Sequence, residues 1–438
     1  VVGRGSAVYR SARLGYDPNY DGRRPSAVAR CVSVADVQRS VAFAAGTHTR
    51  VAARSGGHSY AGYSTPNNGL VIDLSGLSDI AVHHDGTVVV GTGARLIEVY
   101  TALAKHGRCL PAGSCPTVGI GGLTLGGGIG FLTRPYGLTC DNLVGAEVVT
   151  ADAARHTVSA TTDADLYWAL RGGGGGNVGV ATSFTFRTVP TPSIVRLELD
   201  YSGGAEVDVF GAWQRWIAAA PDELTASCTI SASASPSCEI LGTFVGSVAA
   251  ARAHVKALIR EVGSTPDYSA VSGVPYEQAM YDFARCSGLR LSQCAPSWTG
   301  SGHGRLPRSS FVATSRIIYA PVDPQQLIDT VTGTGLAVLI DPINGAAGRV
   351  AVDATAFAHR NALASVQIYS SGDDPTRVDE LRDALRPQLG SHGYVNYIDP
   401  SMPDWQRAYY GPNFGRLRSI AAAHDPQHVF AFAQNVNQ

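Results

Sequence analysis

Two nucleophilic side chains stand in glycine-rich settings in this 438-residue chain. His58 follows a Gly-Gly pair in ARSGGHSYAGYS (53–64), and Cys115 precedes a proline and a long glycine-rich run in GSCPTVGIGGLTLGGGIGFLTRPYGLTCDN (113–142). A neutral imidazole and a thiolate are the side chains best able to add to an electron-poor ring, the thiolate according to its pKa environment. Taken singly, each has an ordinary explanation, a solvated turn histidine and a structural cysteine. YVNY (394–397) ends on Tyr397. A free tyrosine titrates near pH ~10, so any proton-accepting work by a tyrosine requires a lowered value or a partner that unloads the proton. Gln367 and Tyr369, two apart in ASVQIYSS (364–371), share one face of a strand-like segment.

The elements that would position these residues fall into two styles. Before residue 195 the chain alternates short strands and helices. Ser33 and Asp36 resemble a capping box ahead of Val37, Val41 and Ala44 at helical spacing. RVAAR (50–54), LVIDL (70–74), DIAVH (79–83), TVVVG (87–91) and GAEVVTA (145–151) read as strands, and RLIEVYTALAKHG (95–107) as a helix with a glycine stop. Three glycine clusters, SGGHS, TVGIGGLTLGGGIG and RGGGGGNVG, end strand-like segments here, which suits backbone N–H groups packed close to a polyanionic ligand. After TVPTPSIVR (188–196) come alternating stretches such as SSFVATSRIIYA (309–320), with helix-like VDPQQLIDTVTG (322–333) between them. This predicts an α+β protein whose second domain is an antiparallel sheet covered by helices. The expected spans are 1–195, 196–403 and a C-terminal segment, 404–438, that returns to the first domain.

In order, the blocks at 53–64 and 113–142, DLYWALRGGGGGNVGVATSF (165–184), YVNY and YYGPNFGRLRSIAAAHDPQHVF (409–430) resemble the berberine-bridge-enzyme-like branch of the FAD-linked oxidases, in a form used in bacterial secondary metabolism. The resemblance spans nearly the whole chain. It implies a two-part PCMH-type FAD-binding domain and an FAD bonded twice, at the 8α carbon to His58 and at C6 to Cys115. It implies cofactor contacts from Arg54, Ser55, Gly56, Gly57 and Ser59, and from Thr117, Gly119, Gly121, Gly122, Gly127 and Gly130. Asp141 and Asn142 match a turn of the family motif, Gly179 and Val180 the region near the adenine, and Asn413 and Gln434 the returning segment. Val118, three residues after Cys115, is small, as in the members that react with oxygen. Tyr397 matches the base, Gln367 a polar position lining the site, and Tyr369 adds to it. Ile129 stands where some alcohol-oxidising members carry a second tyrosine, for which Tyr136 is the nearest substitute, and Val178 replaces a commoner Phe. His359 and Arg360 read as a pin between strand and loop.

The implied reaction is hydride removal from an alcohol or hemiacetal carbon of a bulky natural product or sugar, with O2 as acceptor and H2O2 as product. Oxidative cyclisation on the same flavin is the alternative, and a flavin carrier acting by binding alone is a reading from another class. A nicotinamide dehydrogenase is excluded, since no GxGxxG opens a helix after the first strand. A net charge of −1 without runs of one sign predicts no nucleic-acid partner, and no apolar stretch is long enough to predict a membrane span. Eight cysteines without CxxC predict no metal site; Cys228/Cys238 and Cys286/Cys294 are open between disulfides and buried thiols. Compartment and oligomeric state are not legible.

Overall fold

The computed structural model describes residues 1–298 and 302–438. Strands Ala27–Arg30, Leu70–Asp73 and Val51–Arg54 lie side by side in parallel, with Val2–Gly3 antiparallel on the outer edge. Parallel neighbours need a crossover, and helix Val34–Thr47 supplies it, burying Val37, Val41 and Ala44. Ser33 caps that helix by accepting from the Asp36 N–H, while Asp36 accepts from the Val32 N–H, one residue before the cap, and so does not close the predicted capping box on the Ser33 N–H. A second sheet, antiparallel, runs in the order Ile80–Val82, Thr87–Gly91, Val180–Arg187, Leu143–Val149, Arg155–Ser159.

The third sheet has seven antiparallel strands: Tyr268–Val274, Ile194–Tyr201, Ser237–Val245, Leu224–Ser231, Ala337–Pro342, Ala364–Ser371 and Phe311–Ile318. Alternation along each strand gives it two faces. Leu197, Ile230, Val338, Ile340, Val366 and Ile368 are buried in one apolar core with helices Glu206–Ala219, Val248–Val262, Pro324–Val331 and Thr376–Ala384. The opposite face carries Asp341, Gln367 and Tyr369 toward the FAD-binding part. This is the helix-covered antiparallel sheet that the sequence predicts.

Core membership redraws the expected spans. Tyr276, Ala279, Met280, Ala284, Cys286 and Cys294, placed by sequence in the second domain, pack in the core of the first, and so do Val395 and Met402, ahead of the expected boundary at 404. Cys286 and Cys294 form a disulfide with a Cα–Cα distance of 5.7 Å, whereas Cys228 and Cys238 are buried free thiols on neighbouring strands. Among the described residues no helix is long and apolar enough to cross a membrane.

Two buried arginines fasten the units together. Arg134 donates to the Ala220, Pro221 and Leu224 carbonyls at the end of helix Glu206–Ala219 and to Asn344 Oδ1 at 2.7 Å. Arg360, with no side-chain exposure, binds both oxygens of Asp141 at 2.7 and 2.8 Å. Removing one partner of such a pair leaves an unpaired buried charge, so Arg360→Met is expected to cost about 3–5 kcal/mol of stability. Chemical denaturation of the two proteins at one pH measures it.

Candidate flavin site

Two loops form the floor of the site. One follows strand Val51–Arg54 and the other precedes helix Ile120–Leu125. They touch backbone to backbone: a Cβ on Gly56 would lie 2.3 Å from the Gly119 nitrogen, and one on Gly119 would lie 1.9 Å from Ser55 Oγ. Only glycine permits that approach. Ser55 Oγ donates to the Thr92 carbonyl at 2.6 Å, which fixes the junction from below, and Gly121 packs on the same carbonyl. Gly122 is exposed and meets nothing within 4 Å. Arg54 pairs with Asp73 at 2.9 Å, and its Nη1 is buried without a partner while its stem packs at Gly57. Closely packed glycine loops, an open Gly122 face and an unsatisfied guanidinium nitrogen fit a pyrophosphate-bearing cofactor with an electron-poor ring.

The two nucleophiles stand on these two loops. His58 Nε2 lies 2.8 Å from Thr117 Oγ1, and Tyr16 stacks on the imidazole with centroids 4.1 Å apart. Thr117 is two residues from Cys115, so one threonine ties the histidine to the cysteine loop. Burial lowers the His58 pKa to about 3, which keeps the imidazole neutral and nucleophilic. Cys115 is reachable by solvent, yet burial raises its pKa. Access from one side and dense protein on the others mark a cleft wall, and the resting group is the thiol, not the thiolate.

Aromatic side chains build the opposite wall. Tyr397, in the turn Val395–Tyr397, stacks on Tyr60 at 5.4 Å and meets Tyr394 edge-on at 5.1 Å. Gln367 Nε2 donates to the Tyr60 hydroxyl at 2.8 Å. Phe311 packs against Tyr60 at 4.8 Å and Tyr369 at 5.3 Å, so Tyr369 joins the same wall. Tyr394 is fixed by the Gly128 N–H and Asn396 Nδ2, each at 2.8 Å from its hydroxyl. Burial raises Tyr397 well above the usual phenol range, and Asp341 raises it further. Asp341 itself is pushed up to about 6 by burial, and no hydrogen bond to another described residue satisfies its carboxyl.

Other predicted positions lie elsewhere or have structural duties. Tyr136 does not join the tyrosine wall: it packs on the core of the first unit, where Cys109 and Glu223 influence its hydroxyl. The partners near Tyr397 are Tyr60 and Tyr394, while Ile129 fills the apolar cluster behind them. Both Asp141 oxygens bind Arg360, and Asn142 donates to the Tyr136 and Leu138 carbonyls, so this turn serves as a brace. Gly130 lies against the Ala112 carbonyl and Gly127 against Phe357. Gly179 backs onto Val149, and Val180 is buried in the core around the parallel strands. Asn413 donates to the Val352 and Thr355 carbonyls, and Gln434 to the Asp399 carbonyl. Ser59 caps its turn by accepting from the Tyr63 N–H, and Val118 packs at the core edge beside the Cys115 loop. Buried Val178 belongs to the same core, and His359 receives a 2.8 Å bond from or gives one to Tyr319. Glu198, Asp200 and Glu239 converge at the far end of the large sheet, an acidic cluster that the sequence reading did not single out.

Tyr16, Tyr60 and Asp341 were missed. Tyr60 lies two residues after His58, inside a motif already in view. Asp341 had a local signal, an acid on the same strand face as Leu339. Tyr16 had none, because its stacking on His58 is purely tertiary.

The chain matches two family descriptions, an FAD binding domain over residues 25–159 and a berberine and berberine-like segment over 393–437. It is 33% identical over 448 residues to the uncharacterized FAD-linked oxidoreductase YgaK of Bacillus subtilis, covering 100% of this chain and 96% of that one. The solved structure of BBE-like 1 from Physcomitrella patens superposes with a TM-score of 0.91 at 29% identity, covering 99% of this chain and 96% of the other. Glucooligosaccharide oxidase from Acremonium strictum, described with a 6-S-cysteinyl, 8α-N1-histidyl FAD, superposes with a TM-score of 0.88 at 27% identity over 99% and 95% of the two chains. With its glycine floor, its paired nucleophiles and these full-length likenesses, the chain belongs to the berberine-bridge-enzyme-like family of FAD-linked oxidases.

Proposed function

We propose that this protein oxidises a hemiacetal or alcohol carbon of a sugar, free or carried on a bulky natural product, with His58 and Cys115 as the two covalent anchors of its FAD. When bound, the flavin supplies the two-electron acceptor that takes hydride from the substrate carbon and passes the electrons to O2, giving H2O2. One observation carries the reading: Tyr60, two residues after the neutral His58, stacks on Tyr397 at 5.4 Å and accepts from Gln367 at 2.8 Å, which sets the proposed base and a polar pair beside the anchor loop. The oligosaccharide oxidase among the structural relatives supports a sugar as substrate.

The chain's own part is to hold the substrate and move one proton. Gln367 and the Tyr60 hydroxyl are a donor and an acceptor aimed at one place, suited to a hydroxyl-rich ring. Tyr397 takes the proton of the reacting hydroxyl at its phenolic oxygen. A phenol with a raised pKa cannot do this unaided, so its own proton must be unloaded first, and the Asp341 carboxylate, which acts on Tyr397 through its charge and not through a direct hydrogen bond, is the group assigned to receive it. Val118 is small and near the floor, which supports access for O2. Val118→Leu is expected to slow flavin reoxidation while leaving the rate of reduction by substrate unchanged, as stopped-flow absorbance would show.

The test is a panel of reducing sugars, oligosaccharides and simple alcohols, followed by oxygen uptake and H2O2 release. The reading predicts H2O2 equal to oxidised product for at least one sugar. Bleaching of the flavin without O2 uptake, or inertness to every sugar alongside turnover of a non-sugar, would reject it. Cyclisation of a natural product would appear as loss of two hydrogens with no newly oxidised alcohol.

A further inference from the structure

An imidazole that is to form a carbon–nitrogen bond has two nitrogens, and only the one without a proton is nucleophilic. The chain constrains both the ring plane and one nitrogen of His58. Nε2 is engaged at 2.8 Å by Thr117 Oγ1, whichever of the two atoms donates. Nδ1 is the nitrogen left to form the bond.

The ring plane is set by Tyr16, which covers one face at 4.1 Å with an interplanar angle of 18°. Tyr16 is in turn held from several sides. Its N–H donates to the Gly57 carbonyl at 3.0 Å, next to the histidine itself. Trp298 meets its ring edge-on at 5.9 Å and Phe311 at 6.2 Å. Arg308 donates to the Gly15 carbonyl at 2.8 Å and grips both oxygens of Asp21, and Asn19 Nδ2 donates to the Phe311 and Gly372 carbonyls. Residues 15–21 thus form a strap fastened to the substrate sheet, with the Tyr16 ring on His58.

We propose that Tyr16 and Thr117 are positioning residues for covalent attachment of the flavin, holding the His58 ring plane and engaging Nε2 so that Nδ1 is the bonding atom. The inference rests on the reading of His58 as an anchor. In the step, Nδ1 forms the bond to the 8α carbon of the cofactor, and that carbon loses a proton. The imidazole gives up its own N–H proton, and O2 takes the two electrons with both protons to leave as H2O2. The burial that keeps His58 unprotonated protects the lone pair until attachment.

The test uses the full chain with Cys115→Ala, so that the histidyl bond is the only tether. Covalent flavin is read as the yellow fraction surviving acid precipitation, and the bonded nitrogen by nuclear magnetic resonance of the flavin peptide. Tyr16→Ala and Thr117→Val are expected to slow covalent incorporation about 10- to 100-fold while dissociable flavin still binds. Thr117→Val is also expected to yield some Nε2-linked product, and Tyr16→Phe and Thr117→Ser are expected to restore the parent behaviour. Full incorporation at Nδ1 in both Tyr16→Ala and Thr117→Val would overturn the proposal. Should Tyr16→Ala not fold, Tyr16→Leu retains the volume without the stacking surface and is read in its place. Covalent flavin persisting in His58→Ala with Cys115→Ala would instead overturn the anchor assignment, so the two failures are distinct.

Discussion

Protein carrying both His58→Ala and Cys115→Ala is expected to release all of its FAD on acid denaturation, while each single variant keeps one tether and stays yellow in the precipitate. His58 and Cys115 stand on loops 57 residues apart in sequence, joined where Thr117, two residues from Cys115, meets the His58 ring. Both groups are neutral at rest, the imidazole because burial holds its pKa near about 3 and the thiol because burial raises it. Two bonds let the ring be held without walls closing over it, which leaves room for a bulky substrate. In the double variant the cofactor is held by the glycine loops alone, and ring misplacement of the order of 1 Å is expected to lower turnover about 100-fold. Intact-mass measurement checks the tethers, and steady-state kinetics checks the turnover. Complete loss of flavin from the unmodified protein on denaturation would refute the assignment.

The second large effect is expected at Tyr397. Tyr397→Phe removes the phenolic oxygen and leaves the stacking on Tyr60, so kcat should fall about 100- to 10,000-fold with KM little changed. The hydroxyl makes no hydrogen bond to another described residue, so its loss should leave the unfolding curve almost in place. Asp341→Asn tests the other half of the relay. The Asp341 carboxyl, raised to about 6, accepts a proton only when ionised, so activity should climb as pH rises through about 6. The asparagine variant should lose that limb along with most of the rate. Stability has the opposite sign: a carboxyl whose folded pKa is raised binds its proton more tightly in the folded state, so it favours folding below its unfolded pKa. That advantage is lost as pH rises through about 6. At pH 8, Asp341→Asn should therefore melt higher than the parent while turning over slower, and a lower melting temperature there would argue against a buried, unsatisfied carboxylate.

Much of the site was legible because glycines and nucleophiles share short segments. Gly56, Gly119 and Gly121 mark where two backbones touch, and His58 and Cys115 stand at the ends of the same loops. What sequence could not give was which distant side chain completes each group. Asp141 and Asn142 fall inside the motif that bears Cys115, yet 219 residues separate Asp141 from the Arg360 that consumes its charge. Tyr136 is near that motif in sequence but turns toward Cys109 and Glu223, while Tyr60 and Tyr394 come to Tyr397 from two separate segments. Two of the seven strands of the large sheet, Phe311–Ile318 and Ala364–Ser371, were readable from alternation. The spans were less so, since an apolar stripe on helix Tyr276–Phe283 does not say which core will receive it, and Tyr276 and Met280 pack on the first unit rather than the second.

Arg134 ties the loop region that leads from Cys115 to the carbonyls closing the Glu206–Ala219 helix. A ligand that tightens one side of such a bolt is felt on the other, because neither half can melt without breaking it. The holoprotein should then denature in a single calorimetric transition, its heat-resistance rising everywhere with flavin occupancy, whereas Arg134→Leu would uncouple the half built on the seven-stranded sheet and let it unfold first.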